Sequence, residues 1–333
     1  MSLAGFLAPR FLLVALACGL ACRGGSDDVD GFRVALLTPG SIADGGWNAG
    51  AYQGLEAIRE ALGAEVRHAE TRTPAEFEEG FRDFAGRGFA LVFGHGFEYQ
   101  EAAAKVGAEF PGTIFITTSG NTVRENVAPM VFELEQATYL CGVLAARMTT
   151  TGKVGMIGGI DLPSIRSTFE AFRAGVAAAR SDVEVHEVFI GNFEDNSAAR
   201  EAALALMEEG ADFLLHQANA AGRGVFRAVS EQRARGRRVF AFGTNRDQND
   251  MAPDVVLASA TLDIPAAFVE VARRVQGGRF DAAPVRLGMN EGIVRLVINP
   301  HLQGEILPAI RSELMTLEQR IRSGDLVVPR GAF

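Results

Sequence analysis

From residue 32 onward, apolar runs of strand length alternate with segments whose apolar positions recur at helical spacing. Residues 32–38 predict a strand, 47–62 an amphipathic helix and 64–69 a second strand. The next helix opens at Thr73-Pro74-Ala75-Glu76, a capping box with proline at the first helical position. Residues 89–94 are continuously apolar, as expected of a strand buried on both faces. A helix over 98–110 and a strand over 113–118 extend the alternation, which predicts a parallel sheet covered by helices.

After a helix over 136–148 the pattern restarts. Strands are predicted over 153–158, 183–190, 213–217 and 238–242, with helices over 165–180, 197–209 and 225–235. Two sets of similar length predict two lobes of one architecture, although no sequence repeat relates them. The tail departs from this rhythm, with a strand over 255–260, a helix over 265–276 and short strands over 285–289 and 293–298. Its last helix carries Leu307, Ile310, Leu314, Leu317 and Ile321 in one stripe. The expected fold is α/β and two-lobed, each lobe a parallel sheet flanked by helices, with the tail crossing back to form a hinge. The first lobe is assigned 32–133 with about 245–280, and the second 134–244 with about 285–333.

Composition narrows the partners. At 333 residues the chain has room for two domains, and 48% hydrophobic with 22% charged residues is ordinary for a globular protein. A net charge of −9 without a basic stripe excludes nucleic acid as a partner. The beginning reads as an address. Arg10 precedes an apolar run over 11–21, too short to span a bilayer, and Cys22 and a polar stretch over 23–31 follow. We expect a secretory signal over 1–22 with a lipobox-like end, lipidation at Cys22 and a flexible tether over 23–31. Cys18 is a competing site, and a plain cleaved signal is the alternative. Lipidation would anchor the protein to the membrane on its extracytoplasmic side without spanning it. The remaining cysteine, Cys141, lies in an apolar helical pattern and reads as a buried structural thiol.

Catalytic and metal motifs are missing. The five histidines are scattered, and no C-x-x-C, H-E-x-x-H, P-loop or nucleophile elbow occurs, so no metal, cofactor or catalytic set is expected. Gly222-Arg-Gly224 is only a fragment of a dinucleotide fingerprint.

What recurs is polar and aromatic residues after strands, at the edge where open α/β sheets bind ligands. Asp44, Trp47 and Asn48 follow the first strand; His95, Phe97, Glu98 and Tyr99 follow the third, and Ser119 the fourth. In the second half come Asp161 with Phe169, Asn192, Asn219 with Arg223, and Asn245 with Asp247. Such loops on two lobes predict a binding cleft. One indole face beside two hydrogen-bonding side chains suits a small polar ring compound. The competing view is a helix cap at Asp44 or Asn48 with Trp47 as core filler.

A series of motifs makes the reading specific. It comprises Asp44-Gly-Gly-Trp-Asn48; Asn126-Val127 with Glu135 and Tyr139-Leu-Cys-Gly142; Thr151-Gly-Lys-Val-Gly-Met-Ile-Gly-Gly159; Phe169-Glu-Ala-Phe-Arg-Ala-Gly175; Gly210-Ala-Asp-Phe-Leu214; and Gly243-Thr-Asn-Arg-Asp-Gln248 with Ala252-Pro253. Over about residues 32–300 this resembles the basic membrane protein family of ABC-transporter substrate-binding lipoproteins, which includes nucleoside receptors and Med-type members. The resemblance implies a type I periplasmic-binding-protein-like fold, a nucleoside-like ligand, permease and ATPase partners, and a monomer without catalysis. It also implies that Trp47 and Phe169 stack on a base while Asp44 and Asn48 bond its edge. Phe97, Ser119, Asn219, Asn245 and Asp247 complete the expected ligand-binding set. Two positions depart from the nucleoside receptors: Asn245 stands where they carry an acidic residue, and Ser259-Ala-Thr-Leu-Asp263 lacks their ribose-contacting lysine. Two other readings of the same residues are a ligand sensor that presents its closed form to a partner, and a nucleoside hydrolase pairing Asp44 with Glu98 or Asp247.

Overall fold

The computed structural model describes residues 1–2 and 31–331. The signal, the lipidation at Cys22 and nearly all of the tether therefore lie outside the described residues. In chain order the first half comprises β1 (Arg33–Thr38), α1 (Trp47–Leu62), β2 (Glu65–Glu70), α2 (Pro74–Gly86), β3 (Leu91–Gly94), α3 (Gln100–Glu109), β4 (Ile114–Thr118) and β5 (Val127–Phe132). Next come α4 (Glu135–Met148), β6 (Lys153–Gly158), α5 (Pro163–Ala179), β7 (Glu184–Phe189), α6 (Asn196–Glu208), β8 (Phe213–Gln217), α7 (Gly222–Ala234) and β9 (Phe240–Asn245). The tail holds β10 (Val256–Leu262), α8 (Ile264–Gln276), β11 (Val285–Leu287), β12 (Val294–Ile298) and α9 (Pro308–Ser323).

These strands build two six-stranded sheets, ordered β11-β5-β4-β3-β1-β2 and β12-β10-β9-β8-β6-β7. All pairings are parallel except β10 with β12. The central strands are apolar on both faces because helices cover both, as in Leu91–Gly94 and Val256–Leu262, which are buried throughout. The edge strands β2 and β7 carry charged residues at exposed positions, which discourages pairing with another chain.

The tail corrects the lobe assignment. Residues 245–262 were placed with the first lobe, but β10 pairs β9 and β12 in the second sheet. Only α8 and β11 return to the first, where Ile264 and Phe268 lie against Gly50 and Gly54 of α1. The chain thus crosses between lobes three times, after β5, after β10 and between β11 and β12. Strand propensity is the same for either sheet, so the choice rests on pairing that local pattern does not encode.

Two glycines fix how α4 meets α5. A Cβ on Gly142 would sit 2.1 Å from the Phe172 carbonyl oxygen, and one on Gly175 would sit 2.1 Å from that of Tyr139. The helices touch backbone to backbone there, and only hydrogen side chains fit. Among the described residues no helix is long and apolar enough to cross a membrane.

Candidate functional site

The loop between β1 and α1 is organised by Asp44. Its Oδ1 accepts the backbone N–H groups of Gly46 (2.9 Å) and Ala49 (3.0 Å), and its Oδ2 accepts that of Asn48 (2.8 Å). A carboxylate here satisfies otherwise orphaned donors of the first helical turn and complements the helix dipole. The fourth donor comes from the other lobe: Asn219 Nδ2 donates to Asp44 Oδ2 at 2.9 Å. Asn219 Oδ1 in turn accepts the Trp47 N–H at 3.0 Å. One amide therefore clasps the first lobe's loop from the second. Arg246 adds a bond to the Gly45 carbonyl (3.3 Å). Gly45 and Gly46 leave the space for this approach, since a Cβ on Gly46 would lie 2.5 Å from Asn219 Oδ1. The expected cap and the expected ligand contact thus compete for Asp44, and the cap and the clasp use both of its oxygens.

Trp47 is half-buried. Its ring stacks on His95 with centroids 4.0 Å apart and meets Phe132 edge-on. His95 is wholly buried and held at both nitrogens, by the Trp47 carbonyl (3.0 Å) and the Thr118 hydroxyl (3.1 Å). A carbonyl can only accept, which places the proton on Nε2. Burial pushes this imidazole down to about 3, so it is neutral across the physiological range. In sequence His95 stands among the strand-end residues but not in the expected ligand-binding set. The signal for it was a lone histidine closing an apolar strand. The next residue, Asn48, is 5% exposed, and its Oδ1 has no hydrogen-bond partner among the described residues. A buried amide oxygen without a donor is costly unless something supplies one.

Among the described residues the non-glycine residues with positive φ are Ser119 (60°), Asn219 (48°) and Asn245 (69°), each at or just beyond the carboxyl end of a strand. Left-handed backbone at non-glycine positions concentrates at functional sites. All three belong to the expected set. Phe97 is half-buried and Asp247 exposed, with its Oδ1 accepting the Asn249 N–H at 3.0 Å. Phe169 behaves differently. It is 1% exposed and packs against Phe189 at 5.4 Å, inside the second lobe, because α5 turns that face onto the sheet.

Gln248 explains the end of its motif. Its Oε1 accepts the Thr244 N–H and meets His216 Nε2, both at 2.9 Å, while its own N–H donates to Ser259 Oγ at 3.0 Å. This buried network holds the turn that presents Asn245. Gly222 and Gly224 are packing residues: a Cβ would lie 2.2 Å from the His216 ring and 2.0 Å from the Asn196 carbonyl oxygen, respectively. Cys141 is wholly buried, and burial pushes its thiol up, away from thiolate chemistry. Among the described residues no cluster of histidine, cysteine or carboxylate could hold a metal ion.

Two lobes built on mainly parallel sheets and joined by three crossings, with strand-end loops clasped across the gap, define the two-lobed fold of the periplasmic-binding-protein type. The fold superposes on an ABC transporter solute-binding protein from Aeropyrum pernix K1 with a TM-score of 0.81, at 23% identity, over 90% of this chain and 94% of that one. Residues 32–329 match the family described as ABC transporter substrate-binding protein PnrA-like, and the chain belongs to that family. It is 26% identical to basic membrane protein A1 of Borrelia garinii subsp. bavariensis over 330 residues, covering 96% of this chain and 95% of that protein. It is 24% identical to a purine-binding protein of Brucella abortus over 318 residues, covering 95% and 88%.

Proposed function

We propose that this protein is an extracytoplasmic, lipid-anchored solute receptor of an ABC importer that captures a nucleoside or a similar polar ring compound between its lobes, without catalysis. The observation that carries the reading is the buried, unpartnered Oδ1 of Asn48, one residue after Trp47 at the loop the second lobe clasps. A ring N–H or amino group would supply the missing donor. His95 takes one face of Trp47, so a base would stack on the other, worth about 1–3 kcal/mol. Asp44 shapes the loop and holds the lobes together. Ser119, Asn245 and Asp247 supply polar groups at neighbouring strand ends, and Phe97 an aromatic one. Similarity to a purine-binding protein supports the ligand class.

The test is a thermal-shift screen with nucleosides, free bases, sugars and amino acids, followed by calorimetry. A ligand at 100 times its dissociation constant adds about 2.7 kcal/mol of stability. A shift with purine nucleosides and none with sugars is expected. Silence from every nucleoside and base, with a response to another class, would overturn the ligand assignment.

A further inference from the structure

Two cations of the second lobe converge on one residue of the first. Arg223, the second residue of α7, reaches over the loop between β1 and α1, so that a Cβ on Gly45 would lie 2.8 Å from its Nη2. Arg246, the first residue beyond β9, donates from Nη1 to the Gly45 carbonyl at 3.3 Å. Gly45 has φ 67° and no side chain, so the loop turns there and leaves both guanidiniums room. The two arginines follow the paired strands β8 and β9, at the sheet edge that faces the cleft.

No carboxylate answers them. Among the described residues neither arginine forms a salt bridge. Their neighbours along α7 do: Arg227 pairs with Glu231 and Arg233 with Glu305. Asp44, beside Gly45, spends both oxygens on four N–H donors and meets neither guanidinium. Asp247, beside Arg246, turns its Oδ1 to the Asn249 N–H. Asn245, on the other side of Arg246, is a neutral amide. Like charges held to one residue repel each other, and a single neutral carbonyl cannot satisfy two guanidinium forks. Both side chains are exposed, so water solvates them in the free protein and an anion can displace it.

We propose that the ligand of this cleft carries an oxyanion, a phosphate or a carboxylate, which Arg223 and Arg246 grip while its ring lies on Trp47. The inference rests on the receptor reading and names the ligand class within it: an anionic nucleoside derivative ahead of the neutral nucleoside. The planar guanidinium matches both oxyanions with paired N–H donors. Because both arginines come from the lobe opposite Trp47, the oxyanion also favours the closed form over the open one. A neutral nucleoside still reaches Trp47 and Asn48 and binds more weakly.

The test is calorimetry on the full chain with adenosine and guanosine, their 5′-monophosphates, and adenosine 5′-carboxylate. At least one oxyanion-bearing compound should bind at least tenfold tighter than its parent nucleoside, and the advantage should shrink as salt rises, since both arginines are exposed. Arg223→Gln combined with Arg246→Gln should bring the ratio of the two affinities close to one. A merely structural role would weaken parent and derivative alike and leave their ratio unchanged, so loss of the Arg246 bond to Gly45 cancels from it. A gain confined to the monophosphates assigns the group as phosphate, and one confined to the carboxylate assigns it as carboxylate. Parents that bind as tightly as every derivative, or a preference that survives the double substitution, would overturn the oxyanion and leave the nucleoside receptor standing. Silence from every compound would overturn both.

Discussion

Removing the Asn219 clasp tests whether the lobes are held together by the protein itself. Asn219→Gly deletes two cross-lobe hydrogen bonds, one neutral to the Trp47 N–H and one to the Asp44 carboxylate. A neutral bond contributes about 1 kcal/mol and one to a charged group about 1.5–3 kcal/mol. Both are half-exposed, so the pair is set at about 2 kcal/mol, or roughly a 30-fold shift from closed towards open. Glycine suits the substitution because Asn219 has φ 48°, which glycine adopts without strain. Small-angle scattering of ligand-free protein should show a larger radius of gyration than wild type. Where only the closed form binds, affinity falls with its population. Asn219→Ala should open the lobes equally but melt lower, since alanine in the left-handed region costs about 1–2 kcal/mol. Scattering and affinity both unchanged in Asn219→Gly would refute the clasp.

Three further outcomes follow from the site and the core. Trp47→Ala should cost at least tenfold in ligand affinity and, because the ring stacks on His95 and abuts Phe132, should also lower unliganded stability by about 2 kcal/mol, read by chemical denaturation. Gly142→Ala should lower the melting midpoint by several degrees, because the clash is with a helix backbone that can yield only by moving α5; overpacking of this kind costs about 1–3 kcal/mol or more. His95 and His216 are depressed by burial to about 3 and about 4 from the ordinary 6.5, so the unfolded chain binds their protons first and stability falls as pH drops below about 6.5. Glu135, raised to about 7, acts oppositely, gaining stability as pH falls from about 7 towards about 4.5. In a Glu135→Gln background, moving from about pH 7.5 to 5.5 should therefore cost about 3 kcal/mol, against about 1 kcal/mol in the wild-type chain. Equal losses in the two backgrounds would refute the assignment of the opposing term to Glu135.

Much of the architecture was legible because it is written locally. Apolar runs at strand length and stripes at helical spacing specify element type, and their alternation specifies parallel sheets under helices. The Thr73 capping box predicted the start of α2, and the structure has both of its reciprocal bonds. The strand-end loops were legible for the same reason: polar residues directly after a buried strand sit at the sheet's carboxyl edge whatever the fold's details. Ser119, Asn219 and Asn245 were placed at strand ends that way, and left-handed backbone falls at the same three positions.

Other features were decided only by packing. The motif glycines Gly142 and Gly175 looked like signature residues in sequence and turn out to be a helix–helix contact, because what excludes a side chain is a carbonyl some thirty positions away. The family resemblance implied a stacking role for Phe169, but the rotation of α5 buries it in the second lobe. Sequence likewise could not say which sheet receives β10, since a buried strand presents two apolar faces to either. Nor could it reveal the Asp44–Asn219 clasp, whose members lie 175 positions apart along the chain. A hydrogen bond, or the lack of one, is a property of two groups and the water excluded around them, and the fold alone brings such groups together.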